Sequence, residues 1–142
     1  MRYVVLDTNV LLSALLCRKR SSSVPLQILQ HVFARELLPV INQDILDEYE
    51  EVLHRSKFRF SESLVRSAID AVINVSISKE PLHFDGVFPD PDDRVFFEVA
   101  WNMYQESHET YLVTGNIKHY PKEDFIKTPR QLLDMIEQIP YN

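Results

Sequence analysis

The architecture of this chain follows from one stretch near its N-terminus, Tyr3-Val4-Val5-Leu6-Asp7-Thr8-Asn9-Val10-Leu11-Leu12. The apolar residues from Tyr3 to Leu6 are typical of a short strand buried on both faces of a sheet. Asp, Thr and Asn are common helix N-cap residues, so we expect the strand to end at Asp7 and a helix to begin at once. Asp7 is then either a helix cap or a carboxylate at the C-terminal end of a parallel strand, where open α/β sheets bind ligands.

The composition is that of a soluble globular protein of ordinary size. The 142 residues are 45% hydrophobic and 25% charged, so the chain can bury a core without disulfides, and we expect a single domain over residues 1–142. No apolar run approaches the roughly 20 residues that cross a bilayer, and the N-terminus lacks a signal-peptide pattern. Cys17 is the only cysteine. We therefore expect a cytoplasmic protein with no membrane association.

Glycine content and charge limit the kind of ligand. Gly86 and Gly115 are the only glycines, so the chain has no glycine-rich loop for a nucleotide cofactor. A net charge of −6 is unusual for a protein that wraps a phosphate backbone. Nucleic acid is still a compatible ligand if the carboxylates hold cations and basic residues form a rim. The basic segments 18–20 and 55–59 provide candidate rims, or are solvated loops.

Helical and strand patterns alternate along the whole chain. The spacing of apolar residues, the caps Asn42, Ser61 and Thr128 and the prolines at helix starts predict helices over 8–16, 25–33, 43–54, 62–73, 95–103 and 129–138. Strands are predicted over 3–6, 37–41, 111–113 and 124–126, and 75–78 is a short strand or a connector. Pro39 indicates that 37–41 is an edge strand or begins at that residue. Such alternation predicts an α/β/α layer structure with a parallel sheet of four or five strands.

Three polar clusters coincide with strand ends or helix starts: Asp7-Thr8-Asn9, Asp90-Pro91-Asp92-Asp93 and Thr114-Gly115-Asn116. The C-terminal ends of parallel strands share one edge, so Asp7 and Asn116 can converge there, with Asp92 or Asp93 and with Glu48 within reach. Converging carboxylates repel one another unless a cation or a proton compensates. Oxygen ligands without a Cys/His cluster favour Mg²⁺ or Mn²⁺. The pattern therefore indicates a metal-dependent hydrolase or an acidic binding module.

Four motifs together resemble the PIN domain family: Val5-Leu6-Asp7-Thr8-Asn9-Val10-Leu11, the helix Ile45–Leu53 followed by Arg55, Asp90-Pro91-Asp92-Asp93 before Phe96 and Ala100, and Leu112-Val113-Thr114-Gly115-Asn116. Their order and spacing cover nearly the whole chain. The closest resemblance is to the branch of toxin components of prokaryotic toxin–antitoxin systems. It implies a three-layer, Rossmann-like α/β/α fold and a Mg²⁺- or Mn²⁺-dependent ribonuclease that uses clustered carboxylates to bind the metal.

The resemblance also implies roles for individual residues. Asp7 matches the first acidic metal ligand and Glu48 the second. Asp93 matches the third best, because Phe96 and Ala100 then fall in the expected helical frame, and Asp92 is the competing choice. The positions that shape the first turn are matched by Thr8 and Asn9, and the hydroxyl near the site is matched by Thr114.

Asn116 departs from the family pattern, because many members have an aspartate at this position. An asparagine can ligate a metal through its oxygen or orient a water molecule, but it removes one negative charge. We therefore expect one firmly held ion at most, with Asn116 completing the catalytic set.

The resulting hypothesis is a single-strand endoribonuclease that acts as a toxin. Lys118, His119, Arg55 and Lys57 are the candidates for RNA contact. The alternative is a catalytically weak or inactive PIN-like module that binds RNA or protein. The resemblance implies an antitoxin as a protein partner and a homodimer as the oligomeric state.

Overall fold

A computed structural model describes residues 1–138 of the protein. This part of the chain forms five strands and six helices: β1 (Arg2–Leu6), α1 (Thr8–Leu16), α2 (Val24–Phe33), β2 (Leu37–Ile41), α3 (Gln43–Leu53), α4 (Glu62–Asn74), β3 (Ile77–Ser78), α5 (Arg94–Glu106), β4 (Thr110–Val113), β5 (Ile126–Lys127) and α6 (Pro129–Glu137). Short 3-10 turns cover Ser56–Phe58, Pro91–Asp93 and Ile117–His119. No helix within residues 1–138 has the length and apolar character needed to cross a membrane.

The sheet is entirely parallel, with the strand order β3-β2-β1-β4-β5. The chain builds the sheet outward from β1 to β3 and then returns through α5 to place β4 on the other side of β1. Right-handed crossovers in opposite directions put their helices on opposite faces, so α5 covers one face and α2 the other. The predicted three-layer α/β/α fold with a central parallel sheet is confirmed.

Helix caps follow the sequence prediction closely. The side chains of Asn42, Ser61 and Thr128 each accept a hydrogen bond from the backbone N–H three residues later, at 2.9, 3.1 and 3.1 Å. Thr128 also takes part in a capping box, in which the Gln131 side chain accepts from its backbone N–H. These caps fix where α3, α4 and α6 begin, because each satisfies a helix N–H group that has no partner within the helix.

Two strands differ in detail from the prediction. The last strand begins at Ile126 rather than at residue 124, although the Phe125 carbonyl still accepts from the Leu112 N–H at 3.0 Å. Residues 75–78 contribute the two-residue strand β3, which pairs only with the last two residues of β2. The expectation from Pro39 is wrong, because β2 lies between β3 and β1 rather than at an edge, and it begins at Leu37 rather than at Pro39. Pro39 is in register with Val4 of β1. It has no strand partner on the β3 side, where the described strand is only two residues long.

The core lies on both faces of the sheet. Val4 and Val5 of β1 and Leu112 of β4 are fully buried, and Phe96 and Phe97 of α5 pack with them. An apolar strand that is covered on both faces explains why the N-terminal segment shows a continuous apolar run rather than an alternating one.

Candidate active site

The centre of the sheet creates a crevice between β1 and β4. Leu6, the last residue of β1, is in register with Val113, the last residue of β4. The next residues, Asp7 and Thr114, therefore lie side by side beyond the strand ends. Successive connections leave β1 and β4 in opposite directions, and such a reversal point is where open α/β sheets bind ligands.

Asp7 is almost fully buried and accepts hydrogen bonds on both carboxylate oxygens. Its Oδ1 atom accepts from the Asn9 backbone N–H at 3.2 Å, which caps α1. Its Oδ2 atom accepts from the Thr114 hydroxyl at 2.8 Å and from the Tyr120 hydroxyl at 3.1 Å. Asp7 thus has both features considered from the sequence: it is a helix cap, and it is a carboxylate at the end of a central strand.

Acidic side chains line a cavity of about 280 Å³ above these strand ends: Asp7, Glu48, Asp90, Asp92 and Asp93. Thr8, Asn9, Arg55 and Lys57 contribute to the same walls. The structure therefore brings together the three predicted acidic ligands, the competing choice Asp92, the residues of the first turn and two of the candidate RNA contacts.

The tertiary fold holds Glu48 at this cavity through the residue that follows it. The buried Tyr49 hydroxyl donates a hydrogen bond of 2.6 Å to the carbonyl of Leu6, which ties α3 to the end of β1. Asn42 caps the start of α3. The half-buried Glu48 side chain is therefore carried by a helix that is anchored to the strand next to Asp7.

The segment before α5 is anchored by a partly buried ion pair. Glu98 is almost fully buried and accepts from Arg94 at 3.1 Å and from the Phe84 backbone N–H at 2.9 Å. Arg94 also donates to the carbonyls of Phe84 and Gly86, at 2.9 and 2.8 Å. These bonds hold residues 84–86 against α5. The segment between them, which contains the acidic turn Pro91–Asp93, is therefore anchored at both ends.

Repulsion within the cavity is visible in the acid–base properties of its carboxyl groups. Burial, followed by the charge of Asp7, raises the pKa of Asp93 to about 6. Burial, followed by the charge of Asp92, also raises the pKa of Glu48. Both effects disfavour the ionised forms, and a bound cation would relieve them.

Two buried oxygen atoms at the cavity have no hydrogen-bond partner within the described residues, Thr8 Oγ1 and Asp93 Oδ2. Unpartnered buried polar atoms are rare, and an ion or an ordered water molecule is one of the explanations for them. Hydroxyl and carboxylate oxygens are donors that suit Mg²⁺ or Mn²⁺. Within residues 1–138, however, no three Asp, Glu, His or Cys side chains are grouped closely enough to hold an ion by themselves. The donors fit a hard cation that also keeps water ligands.

Asn116, Lys118 and His119 line a neighbouring cavity of about 420 Å³ rather than the acidic one. The Asn116 backbone N–H donates to the Thr114 hydroxyl at 3.0 Å, so this residue contacts the site through its main chain. His119 Nδ1 lies 4.0 Å from Asp93 Oδ2, where the two cavities meet.

The remaining candidate RNA contacts have partners of their own. Arg55 forms an exposed ion pair of 2.9 Å with Glu51, and the ammonium group of Lys57 lies 5.1 Å from the centre of the Phe58 ring. Both groups remain accessible at the rim of the acidic cavity. They therefore offer positive charge next to the carboxylates.

Sequence reasoning missed two residues of the site. Asp90 lines the acidic cavity and caps the turn at Pro91–Asp93 by accepting from the Asp92 N–H at 3.0 Å; its membership of an acidic cluster was the available signal. Tyr120 reaches Asp7 from the far side of β4, and no motif in the sequence indicated this contact.

The comparisons with known proteins agree with this architecture. A family model described as PIN domain matches residues 3–118, from β1 through β4 to the turn that carries Lys118. Neither the curated proteins nor the solved structures yielded a match to the chain. The match covers well over half of the chain and includes all the acidic residues of the cavity. The parallel sheet and the carboxylates at its reversal point agree with this match. The chain therefore belongs to the PIN domain family, whose fold is of the nuclease type.

Proposed function

We propose that this protein is a Mg²⁺- or Mn²⁺-dependent endoribonuclease that cleaves single-stranded RNA. The observation that carries the proposal is the acidic cavity at the reversal point of the sheet, with Asp7, Glu48 and Asp93 on its walls. These three carboxylates are the proposed metal ligands, and Asp92 is the alternative to Asp93. A bound Mg²⁺ or Mn²⁺ would polarise the phosphodiester and supply an activated water at neutral pH.

Uncharged residues next to the carboxylates would support the proposed metal site. Thr114 donates to Asp7 and so holds the first carboxylate in place. Thr8 offers an unpartnered buried hydroxyl next to it, and the Asn9 backbone N–H donates to Asp7 Oδ1 at 3.2 Å. Asn116 lines the neighbouring cavity and contacts the site through its backbone N–H, so we propose that its amide orients a water molecule rather than binding the ion directly.

Positive charge on both sides of the carboxylates supports an endonuclease. Arg55 and Lys57 lie at one rim of the acidic cavity, and Lys118 and His119 line the adjoining cavity on the other side. A phosphate backbone that crosses the carboxylates would meet cations before and after the scissile bond. Both cavities are open at the surface, so an RNA strand can cross them without inserting a free end.

The biological setting that we propose is a cytoplasmic toxin of a toxin–antitoxin system. A nuclease of this type needs a partner protein that masks its cavity, and we propose a cognate antitoxin in that role and a homodimer as the active form. Phe33 on α2 and Ile73 on α4 are large apolar side chains that each expose 41% of their surface. They are candidates for such protein contacts.

A cleavage assay tests the proposal. Wild-type protein and Asp7→Asn are incubated with a generic single-stranded RNA in Mn²⁺, Mg²⁺ or EDTA. We expect metal-dependent cleavage that Asp7→Asn abolishes, while a matched control, Asp85→Asn, which alters a fully exposed carboxylate outside the cavity, retains it. Full metal-dependent turnover by Asp7→Asn would exclude the proposed role of this carboxylate.

A second candidate function is a PIN-like module that binds RNA or protein without cleaving it. The absence of a preformed three-ligand group within residues 1–138 and the neutral Asn116 favour this alternative. Thermal unfolding separates the two, because a ligand that binds only the native state raises its stability. Stabilisation by Mn²⁺ supports the enzyme, whereas no cleavage and no effect of Mn²⁺ would support the module.

A further inference from the structure

We propose that Tyr120 is a positioning residue that directs Asp7 to coordinate a divalent cation through its Oδ1 atom. The inference rests on the proposed metal-dependent function and adds a residue to which neither the sequence motifs nor the family resemblance assigned a role. It concerns how the carboxylate is oriented rather than which residues surround the ion.

The geometry around Asp7 distinguishes its two oxygens. Oδ2 accepts two hydroxyl hydrogen bonds, from Thr114 at 2.8 Å and from Tyr120 at 3.1 Å. Oδ1 accepts only the longer bond of 3.2 Å from the Asn9 N–H. A carboxylate has about four lone-pair positions on its two oxygens, so both positions on Oδ2 are occupied and one position on Oδ1 is left. Oδ1 is therefore the oxygen that is available to a cation.

Tyr120 is well suited to this task because its hydroxyl remains a donor. Its ring is nearly buried, and burial, followed by the charges of Asp7 and Asp93, raises the pKa of Tyr120 above its ordinary value. A phenol carries its proton at neutral pH, so the hydroxyl is available to donate to Asp7. The 3-10 turn at Ile117–His119 holds the residue, since the Tyr120 N–H donates to the Ile117 carbonyl at 3.1 Å.

Residues that hydrogen-bond to a metal ligand fix its orientation, and their loss typically lowers metal affinity about 10- to 100-fold. Tyr120→Phe removes only the hydroxyl and keeps the buried ring. Without this donor, Oδ2 has a free lone pair and the carboxylate can rotate about its last side-chain bond. We expect the affinity for Mn²⁺ to fall by this factor while the fold is retained.

The experiment is calorimetric titration of the full chain with MnCl₂, with circular dichroism as the check on folding. The matched control is Tyr111→Phe, which removes a hydroxyl that donates to another carboxylate, Glu109, at 3.3 Å outside the cavity. Wild type and Tyr111→Phe are expected to bind Mn²⁺ alike, and Tyr120→Phe about 10- to 100-fold more weakly. If Tyr120→Phe does not fold, Thr114→Val removes the other donor to Oδ2 and is expected to weaken binding in the same way.

The outcomes separate this inference from the proposed function. Wild type that binds Mn²⁺, together with a folded Tyr120→Phe protein that binds it within about threefold of wild type, would overturn the role of Tyr120 and leave the metal site intact. If Tyr120→Phe does not fold, the same result for Thr114→Val would overturn the inference that the donors to Oδ2 direct Asp7. Wild type that fails to bind Mn²⁺ would overturn the proposed function itself, and this inference with it. A large loss in Tyr111→Phe as well would mean that the effect is not specific to Asp7.

Discussion

Asp93→Asn is the substitution that most directly tests charge repulsion and metal binding in the acidic cavity. Asp93 lines this cavity with a buried, unpartnered oxygen, and its neighbours include Asp7, Asp90 and Asp92. Replacing the carboxylate with an amide of the same shape removes one charge from a crowded site. We expect the metal-free variant to be more stable than wild type at pH 8, and we expect Mn²⁺ no longer to stabilise it.

The magnitude follows from the acid–base behaviour of Asp93. Burial and the charge of Asp7 raise its pKa from 3.8 to about 6. The native state then keeps a proton that the unfolded chain has already released, so the free energy of unfolding decreases as the pH rises through this window. A shift of about two pKa units corresponds to about 3 kcal/mol. Because solvent screens part of the repulsion at this partly exposed carboxylate, we expect a gain of about 1–2 kcal/mol in Asp93→Asn at pH 8.

Urea unfolding in EDTA, followed by circular dichroism, measures this difference. The gain should shrink as the pH is lowered from 8 to 4, because Asp93 is then protonated in the native state and neutral like the amide. Asp85→Asn, at an exposed position, is the matched control and should not change with pH in this way. Adding Mn²⁺ at pH 8 should stabilise wild type and the control but not Asp93→Asn.

Two results would refute this reasoning. If metal-free Asp93→Asn were less stable than wild type at pH 8, the carboxylate would be engaged in favourable contacts rather than in repulsion. If Mn²⁺ stabilised Asp93→Asn as much as wild type, Asp93 would not be a ligand, and Asp92 would take its place in the proposed site.

Other perturbations test the supporting structure. Arg94→Met leaves the almost fully buried Glu98 carboxylate without its guanidinium partner and with the exposed His83 ring beside it, at 3.5 Å. We therefore expect a loss of about 2–3 kcal/mol in urea unfolding, whereas Arg66→Ala, which removes only exposed ion pairs, should have little effect. Thr128→Ala removes a helix cap and should lower the free energy of unfolding by about 1 kcal/mol. Lys57→Ala should weaken binding of single-stranded RNA and reduce the slope of log affinity against log salt by about 0.7, as measured by fluorescence anisotropy; an unchanged slope would remove Lys57 from the interface.

The sequence by itself determined the local structure. The apolar run at residues 3–6 followed by Asp7, the caps at Asn42, Ser61 and Thr128, and helical spacing led to the observed order of strands and helices. These signals are local because strand burial, capping and helix periodicity depend on residues within a few positions of one another. The last strand was misplaced by two residues, since a two-residue edge strand is defined by its partner β4 rather than by its own side chains.

Part of the candidate site could also be predicted from the sequence. Asp7, Glu48, Asp92 and Asp93 were identified from their motifs, because residues at strand ends and helix starts converge on one edge of a parallel sheet. Asn116 was expected with them, but the structure directs it towards the neighbouring cavity. Its direction depends on the 3-10 turn that follows β4, and no spacing rule predicts such a turn.

Only the tertiary structure decided how Asp7 is held. Its two hydroxyl partners, Thr114 and Tyr120, are 107 and 113 residues away along the chain, and they meet Asp7 because α5 returns the chain to the open side of β1. The raised pKa of Asp93 has the same origin, since burial and the charge of Asp7 arise only when β1 and the start of α5 pack together. A sequence determines which groups are present, but the orientation and charge state of a buried carboxylate depend on the atoms that surround it in the folded protein.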